Sequence, residues 1–196
     1  MAVRIEGVLL AAGRSSRAGA FKMELELAGK PLLLWSLEAM AAVCERVIVV
    51  AGFAPDRIRR LLHGRPGVDV VVNENFAAGM LTSVQAGVRS LSAARFFLMP
   101  GDMPLVQAMV FQALLAVRAG IAVPLYRGRR GHPVLLDGGL IEALLAEPPA
   151  SSLGFFIERQ GFVSVAVDDP GILLDLDDGD DMKKIEARLG GGGKNE

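Results

Sequence analysis

Three cationic side chains and a run of small residues follow the first apolar stretch of the chain. The apolar stretch ends at Leu10, and the loop behind it carries Arg14, Arg17 and Lys22. Small residues let backbone N–H groups approach an anion closely, and here they are Ala11, Ala12, Gly13, Ser15, Ser16 and Gly19. Guanidinium groups contact phosphate through two hydrogen bonds and lysine adds a point charge, so this composition suits a polyphosphate. A nucleoside triphosphate is the expected ligand.

Two familiar phosphate-binding loops do not fit this stretch. The Walker A pattern is absent, because Ala20 and Phe21 separate Gly19 from Lys22 and Met23 follows the lysine. No GxGxxG sequence follows the first apolar stretch, which argues against a dinucleotide site. An ordinary basic surface loop is the remaining alternative.

Asp102 stands in the segment MPGDMPLV, directly after an apolar run that is typical of a buried strand. A carboxylate there is well placed to hold Mg²⁺, which takes one or two protein carboxylates and completes its shell with water and phosphate oxygens. Alternatively, Asp102 caps a helix that begins near Pro104, because aspartate is favoured at helix N-termini. The basic loop elsewhere in the sequence makes the metal role the preferred interpretation.

A second acidic cluster lies in the segment LLDLDDGDD. The alternation of Leu174, Asp175, Leu176 and Asp177 places two carboxylates on one face of an extended segment, where a divalent cation would relieve their repulsion. A solvated acidic turn followed by a capped helix is the alternative.

Two further segments offer polar contacts to a ligand. Thr82 and Ser83 fall near the start of a predicted helix, where hydroxyl groups and free N–H groups form an anion site, although a capped helix without ligand is the alternative. His132 follows two arginines and a glycine and could donate to a phosphate or a ring system. A histidine taken alone is more often structural.

Short β-branched runs alternate with helical patterns along the first part of the chain. Strands are predicted at residues 4–10, 46–50, 68–72 and 96–99, and helices at 31–43, 55–62, 81–91 and 104–117. This alternation predicts an α/β fold with one mainly parallel, Rossmann-like sheet and helices on both faces. Ligands bind at the carboxyl ends of such strands, where the basic loop, residues 73–82 and Asp102 all fall.

The later part of the chain is less regular. It predicts strands at 121–126, 132–136 and 162–167, a turn at 127–131, and helices at 139–146, 152–160 and 180–189. Residues 1–189 are predicted to form a single domain and residues 190–196 a flexible tail.

The composition bounds the class of protein. With 196 residues, 52% hydrophobic and 22% charged, the chain fits one globular domain, and a net charge of −1 gives no basis for nucleic-acid or membrane-surface binding. No apolar run of membrane-spanning length and no signal-peptide pattern occurs, which predicts a cytoplasmic location. Cys44 is the only cysteine, so an intramolecular disulfide is excluded and a buried thiol is predicted.

Several of these motifs resemble those of one enzyme family. The string LAAGRSSRAGAFK resembles the signature LAAGxSxRMGxxK of nucleotidyltransferases of the molybdenum cofactor cytidylyltransferase type, with Ala18 in place of Met. The segment around Asp102 is similar to the GDMP motif of these MobA-like proteins, residues 73–87 to NPxWxxGMxSS, residues 130–134 to RGHPV, and residues 175–181 to DIDTPEDL. Departures from these motifs occur at Glu74, Phe76, Thr82, Asp178 and Gly179.

The resemblance implies a fold of the nucleotide-diphospho-sugar transferase type and a role for each matching residue. It implies that Arg17, Lys22 and Asp102 are catalytic, that Asp102 and Asp177 hold Mg²⁺, and that Arg130, His132 and Asp175 bind the second substrate. The nucleotide contacts that it implies are Leu10, Ala11, Ala12, Gly13, Arg14, Ser15, Lys22, Asn73, Gly79, Ser83 and Pro100.

The resemblance also implies the reaction. CMP would pass from CTP to the terminal phosphate of the molybdenum-pterin cofactor with release of pyrophosphate, and a molybdoenzyme that receives the product is a further expected partner. Ala12 stands where guanylyltransferase relatives tend to carry Gly, which favours cytosine. The alternatives are a GTP-dependent guanylyltransferase, a transferase acting on another phosphorylated metabolite, and a non-catalytic carrier or chaperone of the cofactor. A carrier needs no triphosphate site, so Arg17, Lys22 and Asp102 argue against it.

Overall fold

A twisted central sheet organises the protein. The computed structural model describes residues 4–13, 21–148, 150–176, 181–183, 185, 186 and 188. Within them the strands are β1 Ile5–Ala11, β2 Glu26–Leu27, β3 Lys30–Pro31, β4 Arg46–Ala51, β5 Val68–Val72, β6 Arg95–Pro100, β7 Ile121–Tyr126, β8 Arg129–Arg130, β9 Val134–Asp137 and β10 Val163–Ala166. The helices are α1 Leu32–Ala41, α2 Pro55–Leu62, α3 Met80–Val88, α4 Ala108–Leu115, α5 Ile141–Leu145 and α6 Leu153–Gln160.

The strand order of the main sheet is β10-β7-β9-β6-β1-β4-β5, and β8 pairs with β7. Strand β1 runs parallel to β4 and β6, β4 is parallel to β5, and β7 is parallel to β10. Strand β9 lies between β6 and β7 and is antiparallel to both. The prediction of a mainly parallel sheet is therefore confirmed, with β9 as a reversed strand in its middle.

Apolar residues on alternating positions of the strands face two helical layers. Leu9 of β1 packs in the same cluster as residues of α1, α2 and α4, whereas Val8 packs with residues of α3, α5 and α6. The residues of β1 are almost all buried, as expected for a strand covered on both faces. The prediction of helices on both faces of the sheet is confirmed.

Most of the strand and helix predictions match the structure to within three residues, but two of them fail at positions that matter for the site. The predicted helix over 104–117 begins only at Ala108, since Gln107 has an extended backbone and its N–H donates to the carboxylate of Asp169. The predicted strand over 132–136 begins at Val134, while Arg129 and Arg130 of the predicted turn form β8 against β7. A β2–β3 hairpin was not predicted, because each strand has two residues.

Cys44 lies at the end of the turn that follows α1 and is buried. Burial raises the pKa of its thiol to about 12, so the prediction of a buried, unreactive thiol agrees with its surroundings. No helix in the described part of the chain is long and apolar enough to cross a bilayer. The predicted tail at 190–196 lies outside the described residues, and the domain boundary at 189 stays a prediction.

Candidate active site

A cavity of about 260 Å³ opens at the carboxyl edge of the sheet. We call it the edge cavity. Leu10, Ala12 and Gly13 line it from the end of β1, and Pro100 and Asp102 from the end of β6. Lys22 and the start of α3, with Gly79 and Ser83, complete the predicted residues on its wall. A hydrogen bond of 2.8 Å from the Gly101 N–H to the Leu10 carbonyl joins the two strand ends. The structure thus brings together residues that are up to 92 positions apart, from Leu10 to Asp102.

Lys22 and Asp102 form an ion pair in the edge cavity. Lys22 Nζ lies 2.7 Å from Asp102 Oδ2, and both side chains are mostly buried. The other oxygen, Oδ1, is buried and has no hydrogen-bond partner among the described residues. A buried carboxylate oxygen without a partner carries a large desolvation penalty, so it is poised to accept a ligand such as a cation.

Asp102 does not cap a helix. Helix α4 begins six residues later, at Ala108, and its N-cap is Gln107. The backbone N–H of Leu176 donates to the Asp102 carbonyl oxygen at 3.0 Å, which joins the start of the C-terminal acidic segment to the Asp102 turn. The alternative role of Asp102 as a cap is thus wrong, and the acidic segment reaches the cavity turn.

Asn73 supports the edge cavity indirectly, through hydrogen bonds to Thr82 and to Ser83 of the cavity wall. It is buried, and its side-chain amide donates to Thr82 Oγ1 and Ser83 Oγ, each at 2.9 Å. Its Oδ1 accepts from the Asn75 N–H at 3.0 Å. Asn73 does not line the edge cavity, so the structure places it as a residue that positions Ser83 and leaves its predicted nucleotide contact untested.

Ala11 does not line the edge cavity, because its side chain packs in the hydrophobic core with residues of α1, α2 and α4. Met23, Phe76 and Met80 line the edge cavity and were not predicted as site residues. Phe76 lay in a segment that the sequence singled out, but an apolar residue in a loop gives no signal of its own. Gly79, at φ of +120°, adopts a conformation that favours glycine directly before α3.

A second hollow of about 790 Å³ adjoins the edge cavity. We call it the side groove. Its wall includes Arg130 and His132, the predicted contacts to the second substrate, and it shares Gly79 and Met80 with the edge cavity. Arg130 pairs with Glu158 of α6 and lies over the Phe162 ring. Asp175 is exposed and lines neither hollow.

His132 is held near Asp102 because β9 starts where β6 ends. Burial lowers the pKa of His132, while a hydrogen bond with the Leu98 backbone and the negative charge of Asp102 oppose that change. The imidazole is therefore neutral near pH 7. Its Nδ1 is buried and has no hydrogen-bond partner among the described residues.

Four predicted site residues lie outside the described residues. They are Arg14, Ser15 and Arg17 in the basic loop and Asp177 in the acidic segment. Their roles stay predictions.

Comparisons with known proteins relate this chain to a protein family. The model of the MobA-like NTP transferase domain matches residues 7–165. A molybdenum cofactor cytidylyltransferase from Escherichia coli is 29% identical over 185 residues, which cover 94% of this chain and 96% of that protein. A molybdenum cofactor guanylyltransferase from Cereibacter sphaeroides is 28% identical in an alignment that covers 95% of this chain and 98% of that protein.

A solved structure also matches along nearly the whole chain. It is a Mycobacterium tuberculosis protein in complex with manganese, with a TM-score of 0.78 and 25% sequence identity, covering 94% of this chain and 98% of that one.

The mainly parallel sheet has the nucleotide-diphospho-sugar transferase fold, and the comparisons identify the protein as a nucleotidyltransferase. The chain belongs to the MobA-like NTP transferase family. Members of this family generally use a divalent metal. Because its relatives include cytidylyl- and guanylyltransferases, membership does not distinguish CTP from GTP.

Proposed function

We propose that this protein transfers CMP from CTP to the terminal phosphate of the molybdenum-pterin cofactor and releases pyrophosphate. The observation that carries the proposal is the edge cavity, in which a lysine and an aspartate with one unpartnered oxygen meet at the start of a helix. The near full-length match to a molybdenum cofactor cytidylyltransferase supports the choice of reaction and acceptor.

The residues of the cavity suit a nucleotide with its metal. The unpartnered Oδ1 of Asp102 fits a divalent cation that draws its remaining ligands from water and phosphate, and Asp177 is the second proposed ligand. When bound, Mg²⁺ would neutralise phosphate charge and favour departure of pyrophosphate. The hydrogen bond from Leu176 to Asp102 supports the role of Asp177, the next residue along the chain.

The other proposed contacts position the triphosphate. The backbone of residues 10–13, with Arg14 and Ser15, would follow the nucleotide, while Gly79 and Ser83 present the start of α3 to its phosphates. Lys22 and Arg17 would neutralise the charge that develops on the leaving pyrophosphate. Pro100 and Ala12 line the cavity between the two strand ends.

The chemistry requires no general base. A phosphomonoester is ionised near neutral pH, so one of its oxygens attacks the α-phosphorus directly. The new bond joins that oxygen to the α-phosphorus as the bond to the β-phosphate oxygen breaks, and the electron pair leaves with pyrophosphate. Catalysis therefore depends on positioning and charge neutralisation.

Transfer of GMP is the second candidate function, since a guanylyltransferase matches this chain over 95% of its length. Ala12 favours the cytidylyl reaction, because guanylyltransferase relatives tend to carry Gly at this position. A carrier of the finished cofactor is the least favoured function, because it has no use for a cavity containing a paired lysine and aspartate.

The test is release of pyrophosphate from CTP or GTP by the purified protein with Mg²⁺ and the molybdenum-pterin cofactor. We expect release with CTP, dependent on the cofactor. Release with GTP alone would replace the cytidylyl reaction by the guanylyl reaction, and no release with either nucleotide would favour the carrier.

Thermal unfolding with CTP, GTP, ATP and UTP, each with and without Mg²⁺, provides an independent measurement. A nucleotide at about a hundred times its Kd stabilises the folded state by about 2.7 kcal/mol. We expect the largest shift with CTP and Mg²⁺.

A further inference from the structure

The side groove has the build of a small-molecule site. Its volume of about 790 Å³ is in the range of ligand pockets, and most of its wall is apolar. Because it shares Gly79 and Met80 with the edge cavity, a molecule lying in it can extend a phosphate toward Asp102 and Lys22.

Two large apolar side chains on this wall are exposed to solvent. Met80 and Phe155 are each 61% exposed. Arg159 lies against the Phe155 ring, with its guanidinium carbon 5.8 Å from the ring centre, and Arg159 is itself paired with the buried carboxylate of Glu147. The ring is thus held in place from α6 while it remains open to solvent, as suits stacking of a flat ligand.

Two polar atoms on the same wall have no partner. Ser151 Oγ and His132 Nδ1 are both buried and make no hydrogen bond to the described residues. An imidazole nitrogen can donate or accept a hydrogen bond according to its tautomer, and a serine hydroxyl can do both. A buried polar atom without a hydrogen-bond partner costs free energy, so a ligand with N–H and carbonyl groups along its edge would supply the missing hydrogen bonds to both atoms.

We infer that the side groove binds a flat heterocycle with hydrogen-bonding edges, and that Phe155 and Ser151 determine its specificity. The heterocycle is the ring system of the phosphorylated acceptor, and in this respect the inference rests on the proposed function. Phe155 stacks on the ring, Ser151 and His132 meet its polar edge, and the acceptor phosphate projects over Gly79 into the edge cavity.

The test uses the full chain and 6-hydroxymethylpterin, a fluorescent pterin without phosphate, as the probe. Quenching of its fluorescence is titrated with the wild-type protein, F155A and S151A, with and without CTP and Mg²⁺. We expect saturable quenching by the wild type, about tenfold weaker binding to F155A from the lost stack, and about fivefold weaker binding to S151A. Phe155 is exposed, so its removal leaves the core intact.

Matched controls separate the groove from general surface effects. Met109 of α4 is 60% exposed and lines neither hollow, and Ser164 of β10 is exposed, so M109A and S164A should bind the pterin as the wild type does. The Tm increase produced by CTP with Mg²⁺ should be the same in F155A, S151A and the wild type.

Three results would overturn the inference: no quenching by the wild type in either condition, quenching by F155A and S151A equal to that of the wild type, or loss of the CTP-induced Tm increase in both variants. The last result would assign the groove to the nucleotide base. Pterin binding that depends on Phe155, without pyrophosphate release from CTP or GTP, would support the groove and contradict the transfer reaction. Pyrophosphate release with an unchanged KM for the cofactor in F155A would support the transfer reaction and contradict the role of the groove.

Discussion

At the residue scale, the Asp102 carboxylate has two oxygens in different surroundings. Oδ2 accepts from Lys22, while Oδ1 is buried without a partner among the described residues. Substitution of Asp102 by Ala removes the proposed metal ligand and should reduce turnover of CTP at least about a hundredfold with the fold retained. Steady-state kinetics measure the turnover, and a circular dichroism spectrum measures the retention of the fold.

Asp168 is an exposed carboxylate that lines neither hollow and serves as the control, so D168A should keep normal turnover. Near-normal turnover in D102A would remove Asp102 from the metal site.

The ion pair predicts opposite effects of Lys22 on two ligands. A cation 2.7 Å from Asp102 Oδ2 disfavours a second cation on the same carboxylate. Substitution of Lys22 by Ala should therefore tighten the binding of Mn²⁺ alone while it greatly lowers turnover with CTP. Paramagnetic relaxation of water protons follows the first effect, and pyrophosphate release follows the second. Unchanged kinetics would exclude Lys22 from the phosphate site.

Site residues that lie in recognisable sequence motifs were predictable, whereas those outside such motifs were not. Lys22, Ser83 and Asp102 carry groups whose chemistry is evident in the sequence, and the fold brings them together. Phe155 and Ser151 lie in a segment without such a pattern, and their contact with the groove depends on the position of α6 against α3. Sequence reasoning had no means to locate them.

At the element scale, the close approach of α3 to the sheet depends on Gly87. A Cβ at this position would lie 2.5 Å from Val8 Cγ1 and 2.9 Å from Val50 Cγ2, in the tightly packed core. Substitution of Gly87 by Ala should lower the free energy of unfolding by about 1–3 kcal/mol, because the helix must move away from the strands. Urea denaturation measures this change.

Gly154 of α6 is the matched control, since it is also helical but has no neighbour closer than 3.9 Å to an added Cβ. G154A should raise the stability by about 0.5–1 kcal/mol through the higher helix propensity of alanine. Equal effects of the two substitutions would show that the packing at Gly87 is not tight in solution.

Element boundaries were predictable where local signals dominate. The helix Pro55–Leu62 and the strand Val68–Val72 were predicted to the residue, because proline starts the former and a β-branched run defines the latter. The start of α4 was wrong because a distant carboxylate, Asp169, holds the Gln107 N–H in an extended segment. Such a long-range hydrogen bond has no counterpart in the local sequence.

At the scale of the whole molecule, Glu6 ties together three parts of the sheet far from the site. Its buried carboxylate accepts from the N–H groups of Ser92 and Ala93 before β6, and pairs with Arg46 of β4 and with Arg4. Burial by itself raises the pKa of Glu6, but these hydrogen bonds and charges outweigh it and leave the pKa below its ordinary value of 4.5. Glu6 therefore stabilises the fold as an ionised group.

The contribution of Glu6 to the stability of the fold should decrease as the pH falls. Because the pKa of Glu6 is lower in the folded state, its stabilisation is present above pH 4.5 and is lost as the pH falls through the folded-state pKa. Substitution of Glu6 by Gln should cost about 2 kcal/mol at neutral pH, since a buried ion pair is broken. Between about pH 5 and pH 3 the wild type should lose more stability than E6Q, as urea denaturation at both pH values can show. Parallel losses in the two proteins would exclude a lowered pKa.

The global arrangement was predictable only in outline. Alternating strands and helices indicated a parallel sheet, but nothing in the residues of β9 distinguishes a reversed strand from a parallel one. Its place between β6 and β7 comes from the pairing of Leu98 with Val134 and of Ala122 with Leu135.

The reversed direction of β9 separates the hairpin at the side groove from the strands of the edge cavity. Because β9 begins at the edge where its neighbours end, the hairpin from Tyr126 to Arg130 lies at that edge, where Arg130 lines the side groove and β8 stays paired with β7. Strands β1, β4 and β6 pair with one another and not with this hairpin, so insertions or deletions in it should leave their registers unchanged. We therefore expect the proposed acceptor side of the site to tolerate changes in the length of this hairpin while the proposed nucleotide side keeps its geometry.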